Sequence, residues 1–377
     1  MFPTHIGELN VVWLNRVLTN RERIDTAKVV DFSAEQLGEQ GQTSVVYRLA
    51  LIYDQPTRLP DRLVAKFSVA QDFVKNALRG QNVFEREVVF YRRVGDRAGI
   101  PVPKCYAAEY DAEKNACVLL LEYVEHESEL DLLQASMAEI DIVVEHLAPF
   151  HARWWQRQEE LVGIPCEYDR ADAHVDNVTR ALAKIPEEHL DDVGRTVIEV
   201  LELWLQHYPQ IAASCASGPL TLCHGSFHRQ QLLFPTAPDD PFRVIDWQSV
   251  TIDCGPIDLA RLLVTSLLPA ARQDHETRLV EKYHALLVKN GIADYALEQV
   301  WQHYRLGIVR VLVLHIQVFA HFNVKLMLEH WGRATEQHSL WKILFQWPEQ
   351  ALIEHAVPEL LRQIIRETPM RGAKGRG

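Results

Sequence analysis

The chain predicts an α+β protein with two segregated lobes, and three observations carry that reading. Its first third alternates as β-strands do, with one helical period set into it. Beyond Val124 the helical period takes over. Only the stretch from 221 to 250 in the second half is β-rich again. The break falls near Glu125, so the expected organisation is an N-lobe over 1–124, a helical C-lobe over 125–370 and a disordered tail over 371–377.

Asn10 to Leu18 reads as a short helix with Val12, Trp13, Val17 and Leu18 as its apolar face. Strands are expected at Ala27–Phe32, Thr43–Ile52 and Leu63–Phe67, separated by Gly38, Gly41 and the Pro-containing segment Asp54–Pro60. From Gln81 to Val94 the residues Val83, Phe84, Val88, Phe90 and Tyr91 recur at helical spacing. A turn or extended link, PVPK, precedes a hairpin over Cys105–Tyr110 and Ala116–Tyr123 with DAEKN at its tip. Helices are expected over Ser136–Trp155, 172–184 and 190–207, and nearly everywhere after Ile257.

With 377 residues, 47% of them apolar and 24% charged, the chain has the profile of a soluble globular protein. A net charge of −12 argues against a nucleic-acid partner, which needs a basic surface, and suits a cationic or neutral small substrate. The 6 cysteines lack C-x-x-C spacing and read as free thiols of a reducing cytosol, so a cytoplasmic location is expected. MFPTHIGELNVVWLNRVL has no signal-peptide layout. The most apolar later stretch, GIVRVLVLHIQVFAHF, contains Arg310 and reads as a buried helix, not a membrane span. His315 and His321 share that helix without an H-E-x-x-H pattern and read as core or surface residues, not zinc ligands. Trp154, Trp155, Trp331, Trp341 and Trp347 read as core, with some lining an apolar acceptor pocket.

The chemistry concentrates between Leu222 and Leu259, in LCHGSFHRQQLLF, RVIDWQSV and GPIDLARLL. In-line phosphoryl transfer to a hydroxyl needs an acceptor group at the nucleophile, a metal ligand a few residues on, and a carboxylate for Mg²⁺ at the next strand end. His224, Gly225, Gln231 and Asp246 have that order and spacing. Asp246 follows the mostly apolar run Phe242–Ile245; its alternative is a plain strand-end turn. Asp258 opens a helix and is expected to buttress the loop or cap that helix. In the first third, Gly38 and Gly41 could form a turn that offers backbone N–H groups to phosphates, or a plain turn. Lys66 in LVAKFS and Glu87 in FEREVVFYRR could pair between strand and helix; Glu85 competes, but its i,i+2 offset puts it on another face. No G-x-S-x-G hydrolase elbow is present.

These residues together resemble the aminoglycoside phosphotransferase-like superfamily, and within it the ecdysteroid-kinase-like or choline-kinase-like small-molecule kinases. The likeness runs from WLNRVL through GEQGQTSVVYRL, LPDRLVAKF, FEREVVFYRR, IPVPKCY, LLLEYV, LAPFHARWW, LCHGSFHRQQLLF and VIDWQ to DLARLL. It implies a bilobal protein-kinase-like fold with ATP between the lobes. It further implies Lys66 and Glu87 as the phosphate-anchoring pair, Asp246 as the Mg²⁺ ligand, and Leu121–Val124, with Glu122 and Tyr123, as the adenine hinge. The loop departs from the family's H-G-D-x-x-x-x-N: Ser226 stands at the Asp position and Gln231 at the Asn position. Serine is neutral at pH 7 and cannot serve as the base, whereas Gln231 offers the Asn amide oxygen one methylene further out. His228 is the candidate replacement base, against the alternative of a loop histidine satisfied by hydrogen bonds. Two functions follow: an atypical ATP- and Mg²⁺-dependent phosphotransferase, or a pseudokinase whose fold binds a small molecule or performs a cyclisation or isomerisation.

Overall fold

The computed structural model describes residues 2–19, 26–38, 43–69, 82–126, 135–185, 193–237, 240–321 and 342–368. In chain order its main elements are α1 (Val11–Thr19), β1 (Val29–Gln36), β2 (Ser44–Tyr53), β3 (Arg62–Ser68), α2 (Val83–Arg93), β4 (Cys105–Asp111) and β5 (Ala116–Glu122). Then come α3 (Met137–Arg153), α4 (Ala171–Leu182), α5 (Arg195–Ala216), β6 (Thr221–Cys223), β7 (Leu232–Leu233), β8 (Arg243–Val244) and β9 (Thr251–Asp253). The remainder is helical: α6 (Pro256–Ser266), α7 (Pro269–Lys289), α8 (Leu297–His321), α9 (Trp347–Glu354) and α10 (Val357–Glu367). This is the α+β, protein-kinase-like pattern expected. Gly41, Gln81, Trp331, Trp341 and the tail over 371–377 lie outside the described residues, as does the side chain of His321.

Two compact units result: Met1–Leu130 with Gln231–Val250, and Asp131–Gln230 with Thr251–Gly377. The first is built on an antiparallel sheet of order β1-β2-β3-β5-β4. Period-2 alternation sends Leu63, Ala65 and Phe67 of β3 into one core with Trp13, Leu14, Val17 and Leu18 of α1. Val12, expected on that apolar face, is 77% exposed, because one residue of helix turns it about 100° away from Trp13. Lys66 lies on the opposite face of β3, where α2 packs. The segment 231–250 joins this unit through the hydrogen bond from Val244 N–H to Pro101 O (2.9 Å) and the bridge between His126 and Pro235.

In the second unit, Ser136 caps α3 with a full capping box, its hydroxyl taking the N–H of Glu139 (3.2 Å) while Glu139 takes the N–H of Ser136 (2.7 Å). The helix expected to end at 207 continues to Ala216 despite Pro209, and His207 absorbs the break in a non-helical conformation. β6 pairs with β9, so the strand before the H-G-S loop lies against the strand that leads into α6. Gly307 of α8 sits so close to α6 that an added Cβ would come within 2.6 Å of Ala260 Cβ and 3.1 Å of Ile257 Cα. A buried network of Arg272, Glu276, Tyr304 and His355 ties α7, α8 and the end of α9 together. Among the described residues no helix is long and apolar enough to cross a membrane.

Candidate active site

The first unit assembles the charged group predicted from β3 and α2. Lys66 Nζ sits 2.8 Å from Glu87 Oε2 and 2.5 Å from Asp246 Oδ1. Glu87 is 2% exposed, and Glu85 is exposed, so the pairing falls on the expected carboxylate. Burial alone would lower the Lys66 pKa; Asp246 and then Glu87 outweigh it and hold the ammonium above its ordinary value. Burial raises the Glu87 pKa, with Asp246 adding to the rise and Lys66 opposing it. Asp246 itself takes a left-handed backbone, φ 62° and ψ 58°, at the start of the short turn Trp247–Ser249. A non-glycine residue pays for that conformation with about 1–2 kcal/mol. Packing fixes it: Trp247 stacks on Phe90 of α2 with ring centroids 3.7 Å apart, and its indole N–H donates to Val244 O (3.1 Å).

The other oxygen of Asp246 accepts hydrogen bonds from Gln248 (3.1 Å) and Gln231 (3.3 Å). Thr43 Oγ1 donates to Gln248 Oε1 (2.9 Å) and so fixes which end of that amide faces Asp246. The sequence reading missed Gln248; its two-residue offset from Asp246 was the available signal. One partly exposed carboxylate beside a side-chain amide is a donor set that fits a hard divalent cation sharing phosphate oxygens. Of the remaining expected nucleotide residues, Gly38 has φ 65° with open space around its α-carbon. Glu122 accepts Lys104 N–H (3.0 Å) and pairs with Arg243 (3.5 Å), while Tyr123 lies under the guanidinium of Arg62 at 5.0 Å. Their side chains are therefore engaged in contacts at the end of β5.

The second unit builds the loop. Gly225 has φ 80°, and Asp258 receives the backbone N–H groups on both sides of its peptide turn, His224 N at 2.6 Å and Gly225 N at 2.9 Å. Asp258 thus buttresses the loop from the first turn of α6, as expected. His151 of α3 stands behind it, with Nε2 3.4 Å from Asp258 and Nδ1 2.8 Å from the Tyr283 hydroxyl. Sequence reasoning named neither His151 nor Tyr283, although LAPFHARWW was among its matching segments. The ligand atoms of His151, Cys223 and Asp258 lie within 4.8 Å of one another. Both carboxylate oxygens are already committed to the loop, and burial followed by Asp258 pushes the Cys223 thiol well up, away from the thiolate a metal needs. The trio is a loop anchor.

On that loop, His224 is buried and its Nδ1 accepts the N–H of Ser226 (3.2 Å). Ser226 and His228 are half-buried. Burial, then Arg261, His224 and His315, push the His228 pKa well below its usual value, so the ring is neutral at pH 7. Elsewhere in the same unit, Glu167 pairs with Arg310 and His174, and Tyr168 donates to the buried Asp253, whose pKa burial raises to about 7. Trp154 and Trp347 are core residues, as expected.

The sequence profile of the ecdysteroid kinase-like family matches residues 39–292. No curated protein sequence matches the chain. Among solved structures, LicA in complex with AMP aligns over 91% of this chain and 99% of its own at 14% identity, TM-score 0.51. The GDP and kanamycin complex of APH(2")-IIia aligns over 94% and 99% at 13% identity, TM-score 0.50. The Plasmodium vivax ethanolamine kinase Pv091845 aligns over 88% and 83% at 9% identity, TM-score 0.50. At these identities the likeness is one of fold.

Proposed function

Because the chain belongs to the ecdysteroid kinase-like family, we propose that it is an ATP-dependent phosphotransferase acting on a small-molecule hydroxyl with an altered catalytic loop. The observation that carries this reading is the buried Lys66 held between Glu87 and Asp246. A lysine so placed, kept charged by two carboxylates, is suited to the phosphates of a nucleotide. Nucleotide complexes of proteins with this fold, GDP in one case and AMP in another, favour the same assignment. Asp246 and Gln231 would hold Mg²⁺, which when bound neutralises charge on the phosphates.

In the reaction proposed, the acceptor oxygen bonds to the γ-phosphorus as the bridging bond to ADP breaks. The hydroxyl proton passes to His228, a neutral imidazole whose lowered pKa makes it a weaker base than an ordinary histidine. Ser226 can orient the hydroxyl but cannot take its proton. A general base contributes roughly 10²–10⁴-fold, so the altered loop predicts a slow enzyme with its positioning machinery retained.

The test is transfer of labelled γ-phosphate to a panel of hydroxylated acceptors by the wild type, Ser226→Asp and His228→Gln. A gain in Ser226→Asp and a loss in His228→Gln support the reading. Folded protein with no transfer in any of the three favours the second reading, a kinase fold used for binding or non-phosphoryl chemistry, for which the neutral Ser226 is the motivating observation.

A further inference from the structure

Helix α6 is buried along its whole length except at Arg261, which keeps partial exposure. Arg261 lies three residues past Asp258, so both side chains project from neighbouring positions of one helical face. Its guanidinium donates through Nη1 to His315 Nε2. The His315 Nδ1–H in turn donates to Leu344 O (2.9 Å), which makes Nε2 the acceptor and the ring neutral. Arg261 is thus held in position without being neutralised. Its Nε is buried with no hydrogen-bond partner, and among the described residues no carboxylate forms an ion pair with it.

Among the described residues the negative charge that acts on Arg261 is that of Asp258, three residues back on the same helix, and it reaches the guanidinium through space, not as an ion pair. The nearby Arg310 is already paired with Glu167. Asp258 is committed to the backbone of the loop, and the loop from His224 to Gln231 contains no acidic residue. His228 and His315 both lie within the field of Arg261. A partly dehydrated guanidinium without a counter-charge is costly in a bare protein and becomes favourable when an anion fills its fork. The chain is acidic overall, but among the described groups Arg310 acts on Arg261 more strongly than Asp258 does.

We propose that Arg261, backed by His315, is the receptor for an oxyanion on the small molecule that the helical unit takes. The acceptor would then be a hydroxylated compound bearing a carboxylate or a phosphate. The word acceptor rests on the phosphotransferase reading; the anion site itself does not. Arginine presents two parallel N–H donors to a carboxylate or phosphate, a geometry lysine cannot reproduce.

The test is anion binding to the full chain without nucleotide, by calorimetry and by thermal midpoint at constant ionic strength. Inorganic phosphate and glycerate are the probes, with glycerol and ethanolamine as uncharged and cationic controls. Wild type should bind at least one anion and gain midpoint, with no response to either control. A response to glycerate marks a carboxylate source, and one to phosphate alone a phosphate source. Arg261→Met should weaken that binding by about tenfold or more, while its own midpoint without ligand stays level or rises because a buried charge is gone. Arg261→Lys should fold and still lose several-fold, which keeps the test decisive if the methionine variant does not fold. Absence of any anion response in wild type, a response led by ethanolamine, or variants that lose stability yet keep the anion response would overturn the proposal. Failed phosphoryl transfer would leave these results standing, and failed anion binding would leave nucleotide binding standing.

Discussion

Replacing Lys66 with Met removes the cation that pairs with both Glu87 and Asp246. The exposures of the three side chains are 11% for Lys66, 3% for Glu87 and 21% for Asp246. Removing one partner of a buried pair costs about 3–5 kcal/mol, mostly the penalty of the charge left behind. Two features reduce that here: Asp246 keeps some water, and Glu87 can take up a proton. A loss of about 3 kcal/mol at pH 8 follows. Without Lys66, the already raised Glu87 pKa rises further above its unfolded value. The penalty is therefore full above the folded pKa and shrinks as pH falls toward the unfolded one, to about 1–2 kcal/mol at pH 5. Urea midpoints read by tryptophan fluorescence at both pH values measure this, Trp247 lying against α2 beside Glu87. Lys66→Met with Glu87→Gln should recover most of the loss. A deficit below about 1 kcal/mol, equal at both pH values, would refute the account of this cluster.

The raised pKa of Asp253, about 7, predicts a second pH effect. The unfolded carboxyl ionises in the ordinary range while the folded one keeps its proton, so stability falls as pH rises toward 7 and levels off above. Asp253→Asn keeps an acceptor for Tyr168 and for the Cys254 N–H and should be more stable than wild type at pH 8, by up to about 4 kcal/mol, with no gain at pH 4. Gly255→Ala should disturb the loop anchor, because its Cβ would come within 2.6 Å of the Tyr283 hydroxyl and 2.9 Å of His151 Nδ1. Overpacking of this kind costs about 1–3 kcal/mol, and a thermal melt measures it.

Strand β3 and helix α2 were legible in the sequence because short-range periodicity sets them. The apolar alternation around Lys66 placed it on a strand, and the helical spacing around Glu87 distinguished it from Glu85. Asp246 was legible as a strand-end acid, but its left-handed backbone was not, since the stacking of Trp247 on Phe90 is a tertiary effect. The anchor behind the loop was hidden for the same reason: His151 and Tyr283 are 132 residues apart. A linear boundary near Glu125 could not foresee that the later segment 231–250 would cluster with the first unit. The helix expected over 190–207 stopped short of Pro209, and the kink at His207 lets α5 run past that proline. Arg261 reads as a polar interruption in DLARLL; that its Nε is buried without a hydrogen-bond partner emerges only from the packing of α6 on α8.

The most direct measurement is a calorimetric titration of the full chain with ATP, with and without Mg²⁺, in wild type and Asp246→Ala. Wild type should bind ATP in a Mg²⁺-dependent manner, with binding weakened at least about tenfold in the variant. Folded wild-type protein that binds no ATP under either condition would contradict the phosphotransferase reading.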